Sequence, residues 1–352
     1  MFCSPFAPSG FGASIANSKI LSIDALSVVG AKHFAQFSEM LRPYDYFLLT
    51  IARGRGTLPA MNTARDFLLH TQNADGGWGY RVSAMSFVEP TAAALIALQN
   101  ENTVILSGVE GSAVEGRARD FLLAHQHADG GWGIAPLDAE SGWMTAWAVL
   151  ALARAANASA AITRGAQWLL ATEGLRLTDP GARATTRQIY QIDSTLRGWP
   201  WQPGDAAWVH PTALAMLALI AAGQREHTRV REGAHYLFDR AVATGGWNIG
   251  NPWMIGKAIP ATIHDTAIAL RALHAVGVAA HEPRLATALE FLRDAATRAH
   301  TASELAWAMW GLGDWSVEIG DLRARLNALQ NEDGSWQGNP FTTAIALACN
   351  NS

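Results

Sequence analysis

A short turn recurs along the chain almost unchanged: QNADGGWG at 72–79 and QHADGGWG at 126–133. Looser copies follow as Gly198-Trp199, Gly245-Gly246-Trp247 and QNEDGSW at 330–336. A turn repeated at helical-unit spacing means one supersecondary unit used over and over. Amphipathic segments precede the joints at 63–72, 115–126, 163–172, 228–242, 283–296 and 320–330, with apolar residues spaced as on one helix face. Ala/Leu-rich segments with almost no charge follow, in one register: 91–98, 145–152, 212–219, 266–273, 305–312 and 343–349. A helix apolar all round is buried, and one with a single apolar stripe lies at the surface. Six outer helices therefore alternate with six inner ones. An open row of six pairs would expose two apolar ends, and closing it removes both. The expected fold is all-α, an (α/α)6 toroid.

The turn chemistry is local. Asp-Gly-Gly tolerates positive φ where an outer helix must stop. The indole then packs across the joint and offers its N–H to a carbonyl. Carbohydrate stacking is the weaker reading, because the indoles recur at joints rather than along one element. Ala side chains on the inner helices permit close approach. Residues 60–352 form the toroid, and 1–59 stand outside the repeat as a helical extension. Within it 23–29 and 31–52 read as one or two helices broken near Pro43.

Hydrophobic residues make up 49 % of the 352 and charged residues 16 %, ample for a large core and unlike a disordered chain. A net charge of −4 argues against a nucleic-acid-binding surface. No apolar run reaches the length of a membrane span, and the N-terminus lacks the layout of a secretory signal. Cys3 and Cys349 stand at opposite ends, which excludes a disulfide framework or a CxxC site. A cytoplasmic protein is expected.

The turns and inner-helix starts resemble those of the prenyltransferase/squalene oxidase repeat superfamily, which includes squalene–hopene cyclases, class II diterpene cyclases and protein prenyltransferase β subunits. The likeness runs from about residue 60 to 350. The Glu89-Pro-Thr-Ala start and Gly198-Trp-Pro-Trp segment also look like those of bacterial single-domain members. In the cyclases a DxDDTA motif opens one inner helix and its middle Asp is the acid. The matching stretch here is Thr262-Ile263-His264-Asp265-Thr266-Ala267. Thr262 replaces the first Asp and His264 the proton donor, and the chain has residues for one toroid where squalene–hopene cyclases have two. The β subunits hold zinc through Asp, Cys and His, and no Cys lies near 260–266.

Two residues before each Thr-Ala start, the cyclase acid position, stand Glu89, Trp143, His210, His264, Ser303 and Phe341. Leu305 replaces Thr in the fifth repeat, which makes the placement of Ser303 less secure. In a closed toroid His210 and His264 are neighbours, and Glu89 lies across from them. Helix N-termini favour anions and lower a histidine pKa, so neutral imidazoles serve as bases or ligands. A desolvated Glu89 is the better acid. The implied catalytic set is Glu89 as acid, His264 and His210 as relay or base, and Asp265 as orienting residue. Trp143, Trp147, Trp307, Trp310 and Phe341, with Ser303, would line an apolar chamber whose aromatic faces stabilise cations. Each also has a plainer reading: Asp265 bonding backbone donors at its helix start, Glu89 as a cap, the histidines as satisfied core residues, the tryptophans as packing.

His210, His264 and Asp265 or Glu89 carry metal-donor chemistry, but no HExxH or similar spacing marks a site, and no metal is expected. No P-loop, GxGxxG or DDxxD implies a cofactor. Three functions stay open: a terpene cyclase-like protein acting on an isoprenoid or other hydrophobic chain, a non-catalytic hydrophobic-ligand or peptide-binding toroid, and a β-like subunit that needs a protein partner. Peripheral membrane contact through an apolar rim is compatible with all three.

Overall fold

The computed structural model describes residues 63–99, 108–155, 157–254, 256–315 and 317–350. The expected extension at 1–59 and its boundary lie outside them. Outer helices are α1 (Ala64–Thr71), α3 (Gly108–Ala124), α5 (Ser159–Ala171), α8 (Thr228–Asp239), α10 (Pro283–Thr297) and α12 (Gly320–Ala328). Inner helices are α2 (Val88–Gln99), α4 (Met144–Leu152), α7 (Val209–Ala221), α9 (Ile263–Val276), α11 (Ala302–Leu312) and α13 (Pro340–Asn350). One further helix, α6 (Pro180–Tyr190), lies between α5 and α7.

The inner helices pack in chain order, α2 on α4, α4 on α7, α7 on α9, α9 on α11 and α11 on α13, and α13 returns to α2. The row therefore closes into the expected (α/α)6 toroid. Each inner helix also packs on the outer helix that follows it, and α1 covers α13 to complete the outer layer. Burial follows the pattern of charge. In α10, Leu285, Ala288, Leu292 and Ala296 turn inward at helical spacing. In α7 every residue from Val209 to Leu219 is buried. Small residues set the closest approach: a Cβ added at Gly311 of α11 would come within 2.6 Å of Ala267 Cα on α9.

The joints explain the repeat. The indoles of Trp78, Trp132, Trp199, Trp247 and Trp336 are essentially fully buried. Each indole N–H donates to a carbonyl of the preceding outer helix: Leu68, Leu122, Leu169, Leu237 and Leu326 respectively. Each Trp backbone N–H donates to the Thr that marks the next inner helix: Thr91, Thr145, Thr212, Thr266 and Thr343, at 2.9–3.0 Å. Thr and Trp thus form one clasp between outer and inner layers. The fifth joint has neither partner; there Thr301 and Glu304 form a reciprocal capping box at the start of α11. Gln72 adds a second tie, donating to Gly76 O and to Val114 O of the next outer helix, and Gln126 does the same one repeat on.

Two insertions depart from the sequence expectation. Trp199 takes its carbonyl 30 residues upstream where the other joints use 10, and the extra chain contains α6. Asp179 caps α6, accepting from Ala182 N, and Pro180 opens it. Periodicity could not reveal α6, because none of its residues is buried. The second insertion, between Trp247 and α9, holds a short antiparallel ladder, β1 (Trp253–Met254) with β2 (Lys257–Ala258). α6 lies against β1. Among the described residues no helix is long and apolar enough to cross a membrane.

Candidate active site

The inner-helix starts bring the candidate residues into two groups on opposite sides of the ring, since α2 and α9 are three helices apart. The first group centres on Glu89, in the first turn of α2 and 9 % exposed. Tyr80 O–H donates to Glu89 Oε2 in a short hydrogen bond. The Tyr80 ring meets Phe87 at 5.2 Å and Phe341 at 5.9 Å, and Phe341 meets Trp147 edge-on at 6.0 Å. The Trp147 indole N–H is buried and has no hydrogen-bond partner within bonding distance among the described residues. Burial pushes the Glu89 carboxyl up to about 7, and Tyr80 and Trp147, which favour the ionised form, offset part of the rise.

The second group centres on the two histidines. His210 opens α7, is 2 % exposed, and among the described residues finds no hydrogen-bond partner for either ring nitrogen. Trp201 stacks on it at 5.3 Å with planes 20° apart, and Trp143 meets it edge-on at 5.4 Å. His264, in the first turn of α9, lies 4.6 Å from His210, centroid to centroid, and 4.0 Å from Trp307. Trp307 in turn meets Trp310 at 5.0 Å, and Arg271 sits over the Trp310 ring at 4.7 Å.

Burial, reinforced by His264, holds the His210 imidazolium well below its usual range, and burial alone pushes His264 down to about 4. Desolvation, rather than the helix N-terminus alone, is the cause. The His264 side chain nevertheless keeps substantial accessible surface. Asp265 is raised to about 6 by burial, partly countered by Thr262. The expected bonding of Asp265 to backbone donors gives way to a side-chain bond. Thr262 is the N-cap, accepting from Asp265 N at 3.1 Å, and its hydroxyl donates to Asp265 Oδ2 at 2.8 Å.

Seven of the ten candidates thus fall in contact with another: Trp143 with His210, His210 with His264 and Trp307, Trp307 with Trp310, and Trp147 with Phe341. Ser303 takes its place in the first turn of α11, half-buried. Tyr80 and Trp201 escaped the sequence reading because neither lies on an inner helix. Tyr80 directly follows the first turn copy, and Trp201 closes the Gly198-Trp-Pro-Trp segment. Two open surface concavities of about 600 and 310 Å³ lie elsewhere, along the 173–204 connection, with Glu173, Arg176, Arg183 and Asp193 among their walls. Neither includes a residue from the start of an inner helix.

At neutral pH this arrangement keeps a carboxyl partly protonated on one side and two imidazoles neutral on the other. Pairs of groups driven apart in this way separate acid from base.

Comparison with known proteins agrees with the fold. Residues 48–180 match the squalene-hopene cyclase C-terminal domain family; the match includes Glu89, Trp143 and Trp147 and ends before His210 and His264. No curated protein matches the chain by sequence. Among solved structures, the apo type II terpene cyclase MstE from Scytonema superposes with a TM-score of 0.57 at 16 % identity, covering 83 % of this chain and 96 % of that one. A variant of MstE in complex with geranylgeranyl dihydroxybenzoate, its substrate, gives 0.58 at 17 % identity, covering 83 % and 95 %. A protein from Actinoplanes gives 0.54 at 20 % identity, covering 82 % and 97 %. The toroid is the fold this chain shares with these structures, and residues 48–180 are similar to the squalene-hopene cyclase C-terminal domain, in line with the resemblance of the turns and helix starts. Squalene–hopene cyclases have two toroids, whereas nearly all of the MstE chain superposes on this one.

Proposed function

We propose that the protein is a terpene cyclase-like enzyme that folds an isoprenoid chain among the inner-helix starts and isomerises it by protonation. The observation that carries this reading is Glu89: a buried carboxyl raised to about 7, hydrogen-bonded by Tyr80, in the helix-start register of the cyclase acid but across the ring from His264, which stands in the acid's own place. A carboxyl that keeps its proton at neutral pH is an available donor. Glu89 would deliver its proton to a terminal alkene carbon, leaving a tertiary cation. Ring closures move that cation along the chain, and loss of a proton to the imidazole side regenerates an alkene. The substrate's atoms are rearranged and none is gained or lost. Trp147 and Phe341 flank the donor, and Trp143, Trp307 and Trp310 flank the acceptor; their faces stabilise cations by about 0.5–2 kcal/mol each. His264 is the acceptor, with His210 as relay and Asp265 as orienting residue. Ser303 meets the chain from α11. The aromatic rings must part to admit it, since Trp147 and Trp307 are nearly fully buried.

MstE, whose substrate is a geranylgeranyl chain on an aromatic head, makes prenylated arenes the first substrates to try, followed by farnesyl and geranylgeranyl alcohols. Wild type, Glu89→Gln and His264→Ala are each incubated with that panel, and products are followed by gas chromatography–mass spectrometry. Conversion by wild type with at least about a hundredfold loss in Glu89→Gln supports the assignment. Conversion that both variants match removes it.

A second reading, binding without turnover, is favoured by Thr262 and His264 standing where the cyclase motif has acids. It predicts that the panel binds, quenching tryptophan fluorescence, and is recovered unchanged.

A further inference from the structure

His210 is buried, and neither of its ring nitrogens is hydrogen-bonded among the described residues. A buried polar group without a partner is costly, and native structures seldom retain one without a reason. Its neighbours supply one. A ring nitrogen of His210, a ring nitrogen of His264 and a carboxylate oxygen of Asp265 all lie within 4.8 Å of one another. We infer that these three side chains form a binding site for a divalent transition-metal ion of the zinc class, with the remaining coordination position open to the ring interior.

The donor set suits that ion. Two imidazoles and one carboxylate, with a fourth position left free, is the ligand count of open zinc sites. Tetrahedral coordination at about 2.0–2.1 Å places donor atoms roughly 3.3 Å apart. The three donors would therefore have to close by roughly an ångström to hold the ion. Outer contacts already orient them. Thr262 O–H holds Asp265 Oδ2 at 2.8 Å, Trp201 lies flat against His210, and the edge of Trp307 fixes His264. No sequence spacing marks the site because its ligands come from two helices, His210 from α7 and the adjacent pair His264 and Asp265 from α9. The expectation of no metal rested on that missing spacing.

The open position would take a water molecule or an oxygen of a ligand's polar head: a carboxylate, a phenol or a diphosphate. In the loaded protein the imidazoles are ligands, and a metal-bound water stands where the neutral imidazole would accept a proton. Glu89, on the far side, is unaffected. The inference does not depend on the protonation chemistry, because its test reads binding alone.

The full-length protein is stripped with a chelator and titrated with Zn2+ by calorimetry, then with Co2+ by visible absorption. The expected result is one equivalent per chain and tetrahedral Co2+ bands. His210→Ala and His264→Ala each weaken affinity at least about tenfold. Asp265→Asn, nearly the same shape, reports on the third ligand should an alanine variant fail to fold. His281→Ala, at an exposed turn, leaves binding unchanged. Absence of a stoichiometric site in wild type, or affinity that none of the three ligand substitutions alters, overturns the inference.

Discussion

Glu89 and the two histidines are driven in opposite directions by the same effect, burial, and stability should record it. Glu89 holds its proton more tightly in the folded chain, at about 7 against an ordinary 4.5. Its contribution is complete below 4.5, declines as pH rises because the unfolded chain releases the proton first, and is gone above about 7. The gap corresponds to on the order of 3 kcal/mol. Glu89→Gln should therefore match wild type near pH 4.5 and melt at higher temperature at pH 8, read by scanning calorimetry. His210 and His264 act the other way in both proteins. Their depressed pKa values give stability that is present above about 6.5 and lost as pH falls toward 4. Tyr80→Phe removes a donor that favours the ionised carboxyl, so the Glu89 titration seen by 13C-carboxyl NMR should move above 7. A downward move would show that Tyr80 does not act on the charged form.

At the scale of elements, the clasp between Trp and Thr carries the repeat. Thr145→Val keeps the shape but strips the acceptor from the buried Trp132 N–H, at a cost of about 1–3 kcal/mol. Leu305→Thr, at the joint without a Gly-Trp turn, has no such donor to satisfy and should gain no stability. Equal effects at both sites in urea unfolding would contradict the clasp. Gly76→Ala is a harsher test, since φ is +91° and the new Cβ would lie 2.5 Å from Arg117 O. The inner and outer helices were legible because burial imposes a pattern on sequence: charge-free registers inside, single stripes outside. The turn indoles were legible as packing for the same reason. α6 was not, as a helix with no buried residue leaves no apolar period; Asp179-Pro180 is its one local signature. Within the site, the pairing of His210 with His264 followed from register and ring closure. Trp201 and Tyr80 did not, because loop residues reach the helix starts through tertiary structure alone. The bond of Asp265 to Thr262 likewise depends on side-chain rotamers.

At the scale of the whole molecule, closure of the ring decides whether the two poles face each other. α13 packs between α11 and α2 and is covered by α1, so it completes both layers. Deleting 340–352 should expose the apolar sides of α2 and α11 and abolish cooperative unfolding, read by calorimetry and by dye binding. A truncated chain that melts as sharply as wild type would mean that the first five pairs are stable as an open row. The central functional claim is that a proton held by Glu89 starts the reaction, and solvent labelling reads that proton directly. In D2O, product formed by the wild-type chain from an isoprenoid substrate should carry one deuterium on the carbon that was protonated, and Glu89→Gln should form almost none. Unlabelled product from wild type, or labelled product from Glu89→Gln at the wild-type rate, would contradict it.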